Sequence, residues 1–382
     1  MRFLTAGESH GPALSLIVEG LPSGLALSRE FIGRELARRR LGFGRGPRMK
    51  IEADELEILS GVRFGRTLGS PVSMLIRNSE WAKWERVMSA EGKPAGNPLT
   101  EPRPGHADLA GMLKYDFDDA RNVLERASAR ETAARTAAGA TAKTLLGELG
   151  VQVVSHVVAI GPVASDSDRR PSPDDLDAVD SSPVRCFDPA VEGAMIAEIE
   201  KCFEEGDSLG GVFEVIAYGV PSGLGSYVHY DRKLDGVLGG AFMSIPGIKA
   251  VAIGDGLKVA RQRGTQAHDE IYLEDGRFVR KTDHAGGLEG GVTIGGSVRV
   301  RASMKPLSTL KQPLKTVDTR TGKPAEAFRE RTDVCSVPAA AVVGEAMMAW
   351  VLADAAADKF GGDTVGDMKA ALSTFLRRTH RG

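Results

Sequence analysis

The sequence feature that most constrains the fold is a long alanine-rich segment, residues 125–150. From residue 129 onward helix-forming Ala, Leu, Arg, Lys and Glu predominate, no proline interrupts them, and Gly150 offers a stop. Ser128 and Glu131 have the spacing of a capping box, which predicts that the helix begins at Ser128. Because most of its side chains are small, other elements can approach it closely. We therefore expect a buried central helix.

The start of this predicted helix is rich in charge. A first helical turn presents unpaired backbone amides at the positive end of the helix dipole. Arg126 and Arg130 flank that turn, so the pattern is typical of an anion-binding site. A surface cap with both arginines in solvent fits these residues equally well, and other stretches must decide between the two.

Composition excludes several classes of protein. The 382 residues, 42% of them hydrophobic, can bury a sizeable core as one large domain or two fused ones. Three cysteines without metal-ligand spacing, and an N-terminus without a signal-peptide pattern, favour a reducing cytoplasm. A formal net charge of −2 gives no general attraction to polyanions, and no uninterrupted apolar run reaches the length that crosses a bilayer. Nucleic acid and membrane are poor first guesses.

Two histidines lie in glycine-containing loops. His10 follows a short strand in the sequence GESHGP, where neighbouring glycines leave the imidazole little to pack against. His106 lies in RPGHAD, just before a helix that Asp108 is placed to cap. Loop histidines of this kind favour acid/base chemistry over a structural role.

A basic loop follows the first predicted helix. Residues 38–50 contain six basic side chains and no acid, and glycines and a proline shape the backbone around them. The pattern indicates arginines that converge on a phosphate or a carboxylate. RNA binding is the competing interpretation, since Arg-Gly segments also contact nucleic acid.

Hydrophobic periodicity and turn residues predict the remaining elements. Strands are expected at 2–5, 14–18, 56–64, 71–77, 151–160, 211–220, 248–253 and 297–304, a hairpin at 271–280, helices at 28–40, 109–115, 189–205 and 338–358, and an exposed polar excursion at 164–185. The sequence GLPSGL at 20–25 is echoed by GVPSGL at 219–224, each after a strand and before a helix. This echo predicts a single domain, residues 1–382, with a possible internal duplication of about 1–150 and 151–382.

The C-terminal half contains glycine pairs near residues 286–291 and a lysine with hydroxyls at 305–309, which suit a flat or phosphorylated cofactor. No GxGxxG follows a strand and no Walker lysine is present, so Rossmann and P-loop sites are excluded. Arg331 and Asp333 come just before an apolar helix predicted at 338–358, and by themselves they are more typical of a surface pair than of a site.

Taken together, these stretches resemble the chorismate synthase family. GESHGP, GRGPRMKIE, RPGHAD, ERASARETAARTAAGA, AGGLEGG, MKP and RTDVC all stand at family-like positions, so the resemblance covers nearly the whole chain. It implies an α+β fold, a β-α-β sandwich with central helices between antiparallel sheets, which agrees with a central helix of small residues. It also implies a homotetramer.

The resemblance implies a carbon–oxygen lyase that acts on phosphates and catalyses the last step of the shikimate pathway in aromatic amino acid biosynthesis. Such an enzyme converts 5-enolpyruvylshikimate 3-phosphate to chorismate by an anti 1,4-elimination of phosphate, and it requires reduced FMN (FMNH2) without consuming it. Because the chain shows no dinucleotide fingerprint and no evident extra segment, we expect NADPH (NADP) to act only indirectly, through a separate flavin reductase. A non-catalytic flavin- or phosphosugar-binding protein of the same fold is the first alternative.

Site residues follow from the matched motifs. The resemblance implies that His10 protonates the departing phosphate, that His106 protonates the reduced flavin and that Asp333 assists proton removal. It implies substrate contacts from Arg39, Arg45, Arg48, Ser128, Arg130 and Arg331, and FMN contacts from Arg126, Ala127, Ser128, Pro246, Gly247, Gly290, Lys305, Pro306, Leu307, Ser308, Thr309 and Arg331. No metal is expected. Pro246-Gly247 replaces an amide residue and an alanine that many relatives carry, and Asp283 and Ile294 stand where relatives often have asparagine.

Overall fold

The computed structural model describes residues 1–45, 54–330 and 333–380. Two predicted substrate contacts, Arg48 and Arg331, lie outside the described residues. Within them, helices span Arg29–Arg40, Trp81–Met88, Asp108–Tyr115, Arg121–Ala127, Thr132–Glu148, Leu176–Ser181, Pro189–Glu205, Leu234–Met243, Gly264–Ala267, Val337–Phe360 and Val365–Thr379. Short 3₁₀ turns span Ala129–Glu131, Pro173–Asp175, Tyr230–Arg232 and Gly256–Arg261.

Most strands belong to two antiparallel sheets. The N-terminal sheet contains, in spatial order, Arg2–Ala6, Ala13–Glu19, Val72–Arg77 and Glu55–Ser60. The C-terminal sheet contains Ile248–Ile253, Gly296–Met304, Gly211–Val220, Gln152–Ile160 and Val163–Ala164. Four two-stranded hairpins pair Val62–Arg63 with Arg66–Thr67, Ile271–Glu274 with Arg277–Arg280, Leu288–Glu289 with Val292–Thr293, and Lys315–Val317 with Pro324–Glu326.

Helices fill the space between the two sheets. The central helix, Thr132–Glu148, packs on the N-terminal sheet and against the long helix Val337–Phe360, which covers the C-terminal sheet. The alternating buried residues of the strands, such as Leu14, Leu16 and Val18, face this helical layer in one continuous core. The predicted α+β sandwich with helices between antiparallel sheets is confirmed.

The central helix is buried because its residues are small. A Cβ atom added at Gly139 would lie 2.3 Å from the Cβ of Ala346 on the long helix, so only glycine permits this approach. The predicted capping box is wrong, because a 3₁₀ turn at 129–131 comes first and the α-helix begins at Thr132. The carboxylate of Glu131 accepts hydrogen bonds from Thr5 and Arg135 instead of reaching back to Ser128.

The two echoed turns have the same local structure. The hydroxyl of Thr67 donates to Pro22 O and accepts from the backbone N–H of Leu25, at 2.6 and 2.9 Å. The hydroxyl of Thr293 makes the same two bonds with Pro221 O and Leu224 N, at 2.7 and 2.8 Å. The internal duplication stays a prediction, which this local correspondence supports.

The excursion predicted at 164–185 is only partly exposed. It contains the short helix Leu176–Ser181, and Arg185 at its end is fully buried. Arg185 is drawn into the core because its guanidinium pairs with Asp180 and Glu345. The predicted helix 189–205 and strand 211–220 are confirmed at their stated bounds.

The long helix bears on the expectation that the chain contains no membrane-spanning segment. By length and composition Val337–Phe360 could cross a bilayer, but 89% of its most apolar 18-residue segment is buried inside the protein. Its position between the central helix and the C-terminal sheet is that of a core helix.

Candidate functional site

One cavity of about 420 Å³ collects most of the predicted site residues. It lies where the turn before the central helix, the start of the long helix and the loops at 245–247 and 304–309 meet. The predicted residues among its lining are His10, Arg39, Arg45, His106, Ala127, Ser128, Arg130, Pro246, Gly247, Lys305, Pro306, Leu307, Ser308, Thr309 and Asp333. Its volume is within the range of small-molecule sites.

Two predicted flavin contacts are placed elsewhere. Arg126 is outside the described lining, and its guanidinium donates hydrogen bonds to Gly7 O and to Thr5 on the first strand. Gly290 is also outside that lining, in the turn of the hairpin 288–293. Of the two arginines predicted to form an anion site at the helix start, Arg130 lines the cavity and Arg126 does not.

His10 is more tightly held than its glycine neighbours indicate. Its side chain is buried, and its ring stacks on Trp84 with centroids 4.1 Å apart. Its Nδ1 lies 3.0 Å from both carboxylate oxygens of Glu125. The expectation that this imidazole has little to pack against is wrong, because the helices Trp81–Met88 and Arg121–Ala127 supply the missing contacts.

His106 also pairs with a carboxylate. Its Nδ1 lies 2.5 Å from Asp108 Oδ1, and Arg103 donates to both oxygens of the same fully buried carboxylate. Burial alone would raise the pKa of Asp108, but the hydrogen bonds from His106 and Arg103 lower that pKa to about 2. The predicted role of Asp108 as a helix cap is wrong, because Ala107 occupies that position and the carboxylate is used by the histidine and the arginine.

Arg39 and Arg130 meet on one buried acid. Arg39 Nη2 lies 3.2 Å from Asp54 Oδ2, and Arg130 contacts the other oxygen of that carboxylate. Burial tends to raise the pKa of Asp54, but the charges of Arg39 and Arg130 hold that pKa below its usual range. Arg39 of the basic segment 38–50 thus pairs with a carboxylate of the protein itself. This pair was not predicted, because the segment contains no acid.

Ser128 has a structural bond at the edge of the cavity. Its Oγ accepts a hydrogen bond of 3.3 Å from the backbone N–H of Arg130. Ser128 therefore caps the 3₁₀ turn that leads into the central helix. It also lines the cavity, together with Ala129 and Arg130 of that turn.

Lys305 and Ser308 position the loop that carries His106. Lys305 Nζ donates to Gly105 O at 2.6 Å and to Ser308 Oγ at 2.9 Å, and Ser308 Oγ donates to the same carbonyl. Burial and the neighbouring charge of Lys249 lower the pKa of Lys305. Gly105 has φ +79°, a conformation that favours glycine beside these contacts.

The cavity suits a ligand that is both negatively charged and partly apolar. The cationic side chains among its described lining are Arg39, Arg45, Arg103, Arg130 and Lys305, against two carboxylates, Glu330 and Asp333. Apolar walls come from Leu124, Ile245, Pro246, Met304, Pro306, Leu307, Ala339, Ala340 and Val343. Within the described residues no group of three His, Cys, Asp or Glu side chains is placed to hold a metal ion.

Sequence reasoning missed the acids that hold the site together. Asp54 and Asp108 are buried partners of arginines, and Glu125 is the buried partner of His10. The RPGHAD motif does contain the Arg103–Asp108 pair, so that contact had a local signal. Glu125 lies 115 positions from His10, and no local pattern links them.

Comparisons with known proteins agree over nearly the whole chain. The family model described as chorismate synthase matches residues 1–357. A chorismate synthase of Leifsonia xyli subsp. xyli is 55% identical, covering 98% of this chain and 96% of the relative, and one of Parafrankia sp. is 57% identical, covering 99% and 98%. A solved crystal structure of chorismate synthase is 41% identical, with a TM-score of 0.80 and coverage of 99% of this chain and 98% of that chain.

Proposed function

Since this chain belongs to the chorismate synthase family, we propose that it converts 5-enolpyruvylshikimate 3-phosphate to chorismate by anti 1,4-elimination of phosphate. The observation that carries the proposal is that one cavity contains both loop histidines, Asp333 and a group of cations. The reaction releases phosphate and one proton, so it needs an acid at the leaving group, a route for the departing proton and charge compensation for several anions.

The cavity lining contains groups that would suit a reduced flavin. Lys305, which has a third N–H donor, and the hydroxyl of Thr309 offer donors for a phosphate or an anionic ring edge, and Met304 and Leu307 offer an apolar surface for a flat ring. Reduced FMN bound there would supply an electron-rich ring to the elimination and would not be consumed, because the reaction causes no net redox change. Pro246 and Gly247 line the same cavity and have no polar side chain, so a polar contact between them and the flavin would be made through the backbone.

The three residues with proposed chemical roles are each positioned by contacts with other side chains. His10 would give a proton to the departing phosphate, since its ring is fixed by Glu125 and Trp84. His106 would hold a proton at the flavin, with Asp108 stabilising the charged imidazole. Asp333, which lies just before the long helix and lines the cavity, would assist removal of the substrate proton.

Substrate anions would be bound by the guanidiniums of the cavity. Arg39, Arg45 and Arg130 line it, and Arg48 and Arg331 are proposed as further contacts on the matched motifs alone. At an effective dielectric near 20, two unit charges 4 Å apart interact with about 4 kcal/mol, so a phosphate and two carboxylates need such a cluster.

We also propose a homotetramer in the cytoplasm that uses reduced FMN made by a separate NADPH-dependent flavin reductase. These proposals derive from the family.

Anaerobic assay of the purified protein tests the function directly. With dithionite-reduced FMN and substrate we expect chorismate and phosphate in equal amounts, and His106→Ala should lower turnover about 100-fold or more while FMN binding persists. Binding of flavin and substrate without turnover would instead identify a non-catalytic binding protein of the same fold.

A further inference from the structure

The side chain and backbone of Glu125 hold the loop that carries His10. The backbone N–H of His10 donates to Glu125 Oε2 at 2.9 Å, and His10 Nδ1 lies 3.0 Å from both carboxylate oxygens. The backbone N–H of Ser9 donates to Glu125 O, also at 2.9 Å. Three separate donors of the loop therefore end on one residue of the helix Arg121–Ala127.

The flat face of the imidazole is fixed as well. Trp84 stacks on His10 with an interplanar angle of 30°, and the guanidinium of Arg121 lies 5.2 Å from the centre of the same indole. Arg121 also donates to Glu125 Oε1 at 3.2 Å. The ring of His10 is thus held at its edge by a carboxylate and at its face by an aromatic ring.

This geometry determines which ring nitrogen carries a proton. An ionised carboxylate only accepts hydrogen bonds, so Nδ1 must be the N–H that faces Glu125. Burial tends to raise the pKa of Glu125, but its hydrogen bonds with His10 and the charge of Arg121 hold that pKa below its usual range. The carboxylate stays ionised, and the proton that His10 exchanges is the one on Nε2.

Glu125 itself is set back from the reacting groups. Of the described residues, His10 and Leu124 are among the cavity lining and Glu125 is not, and its side chain is 1% exposed. We therefore expect the side chain of Glu125 to act on a ligand in the cavity through the ring of His10.

We propose that Glu125 is a positioning residue that keeps a proton on Nδ1 of His10, so that the imidazolium gives its Nε2 proton to the departing phosphate and is left as the Nδ1–H tautomer, an inference that rests on the proposed function. The arrangement matches the acid partner of a catalytic triad, which orients a histidine without itself taking the proton.

Replacement of Glu125 by glutamine should impair catalysis even though the two side chains have nearly the same shape. Two donors of His10, the backbone N–H and Nδ1–H, point at the two oxygens of Glu125. A glutamine has one oxygen and one NH₂ group, so one of those donors would face another donor. We expect Glu125→Gln to lower kcat about 100-fold or more with little change in KM, because the substrate contacts remain.

The decisive experiment measures kcat with reduced FMN, without oxygen, for Glu125→Gln in the native and the His10→Ala backgrounds. A residue that acts through His10 has no further effect once the imidazole is gone, so we expect the double variant to be as active as His10→Ala alone. Glu131→Gln is the matched control. It removes a carboxylate that bonds Thr5 and Arg135 rather than a histidine, and it should leave kcat close to that of the parent.

The conservative variant provides an independent check. Glu125→Asp keeps the charge but shortens the side chain by one methylene, so we expect about a 10-fold loss of kcat in the native background and none with His10→Ala. This pair gives the same test if Glu125→Gln does not fold.

The outcomes separate the two proposals. A parent protein that forms no chorismate overturns the proposed function and this inference with it. An active parent in which Glu125→Gln keeps full kcat, or loses as much in the His10→Ala background, overturns the role of Glu125 alone.

Discussion

The guanidinium of Arg45 lies 2.9 Å from the carboxylate of Asp333 at the wall of the cavity. Ser336 links the two, since it accepts from Arg45 Nη1 and donates to Asp333 Oδ2. A residue predicted to bind substrate and a residue predicted to assist proton removal are therefore ion-paired. Binding of an anion by Arg45 would change the charge environment of Asp333.

We predict that Arg45 and Asp333 act as a unit. Arg45→Ala and Asp333→Ala should each lower kcat/KM by about 100-fold, and the double variant should lose little more than the worse single variant. The measurement is chorismate formation with reduced FMN. The exposed pair Arg2–Glu19 serves as control, because its removal should not change turnover. Losses that multiply in the double variant would show that the two residues act independently.

The sequence predicted the fold well because its signals are local. The helix Pro189–Glu205 and the strand Gly211–Val220 follow from periodicity, proline at a helix start and glycine at its end. The start of the central helix was predicted less well. A capping box is a property of one turn, whereas Glu131 is used by Thr5 on a distant strand, so the tertiary contact decides.

The cavity lining was predicted in its histidines, in Asp333 and in most of its arginines, but the buried acids Asp54 and Glu125 behind it were not predicted. Loop position beside glycine singled out His10 and His106, and both line the cavity. Asp54 and Glu125 carry no local signal, because their partners come from other parts of the chain. An ion pair between distant segments forms only when the chain folds. Its two residues have no fixed separation along the sequence, so no sequence pattern reveals it.

Ser128→Ala should reduce both stability and activity. Loss of the bond from Arg130 N to Ser128 Oγ costs about 1 kcal/mol of unfolding free energy, the usual value for a cap. Ser28 makes a matched cap, accepting from Phe31 N at 3.3 Å on a helix start outside the described cavity lining. Ser28→Ala should therefore lower the melting temperature similarly and keep turnover. An unchanged melting temperature for Ser128→Ala would mean that its hydroxyl serves ligand binding only.

Asp108 should contribute acid-sensitive stability. Its pKa is lowered to about 2 in the folded protein, so its contribution is complete above the unfolded pKa of about 4 and is lost as the pH falls through about 2. We expect Asp108→Asn to lower the unfolding free energy by on the order of 2 kcal/mol at neutral pH, with the difference shrinking below about pH 4. Urea unfolding across pH 7 to 3 measures this. The exposed Asp168→Asn is the control, and a pH-independent difference would contradict the prediction.

Glu345 should be the most destabilising single carboxylate to neutralise. It is fully buried in the long helix and accepts from Arg38, Lys143 and Arg185. Glu345→Gln removes the carboxylate that all three buried cations share and leaves them to Glu35 and Asp180, so we expect a loss of about 3–5 kcal/mol in urea unfolding. Glu148→Gln breaks only a partly exposed pair with Lys369 and should cost about 1 kcal/mol or less. Equal losses in the two variants would show that the buried network contributes no more than a surface pair.

The last prediction concerns the source of electrons. The printed sequence contains no dinucleotide fingerprint, and the cavity cations that a nicotinamide nucleotide would need, Arg39 and Arg45, are already paired with Asp54 and Asp333 and are proposed to bind substrate. We therefore expect no chorismate when the protein is mixed with oxidised FMN, substrate and NADPH in the absence of oxygen. Addition of a separate flavin reductase should start the reaction, and dithionite-reduced FMN should start it without that reductase. Steady product formation from NADPH alone would show that the chain reduces its own flavin, while leaving the elimination chemistry and the role of His10 unaffected.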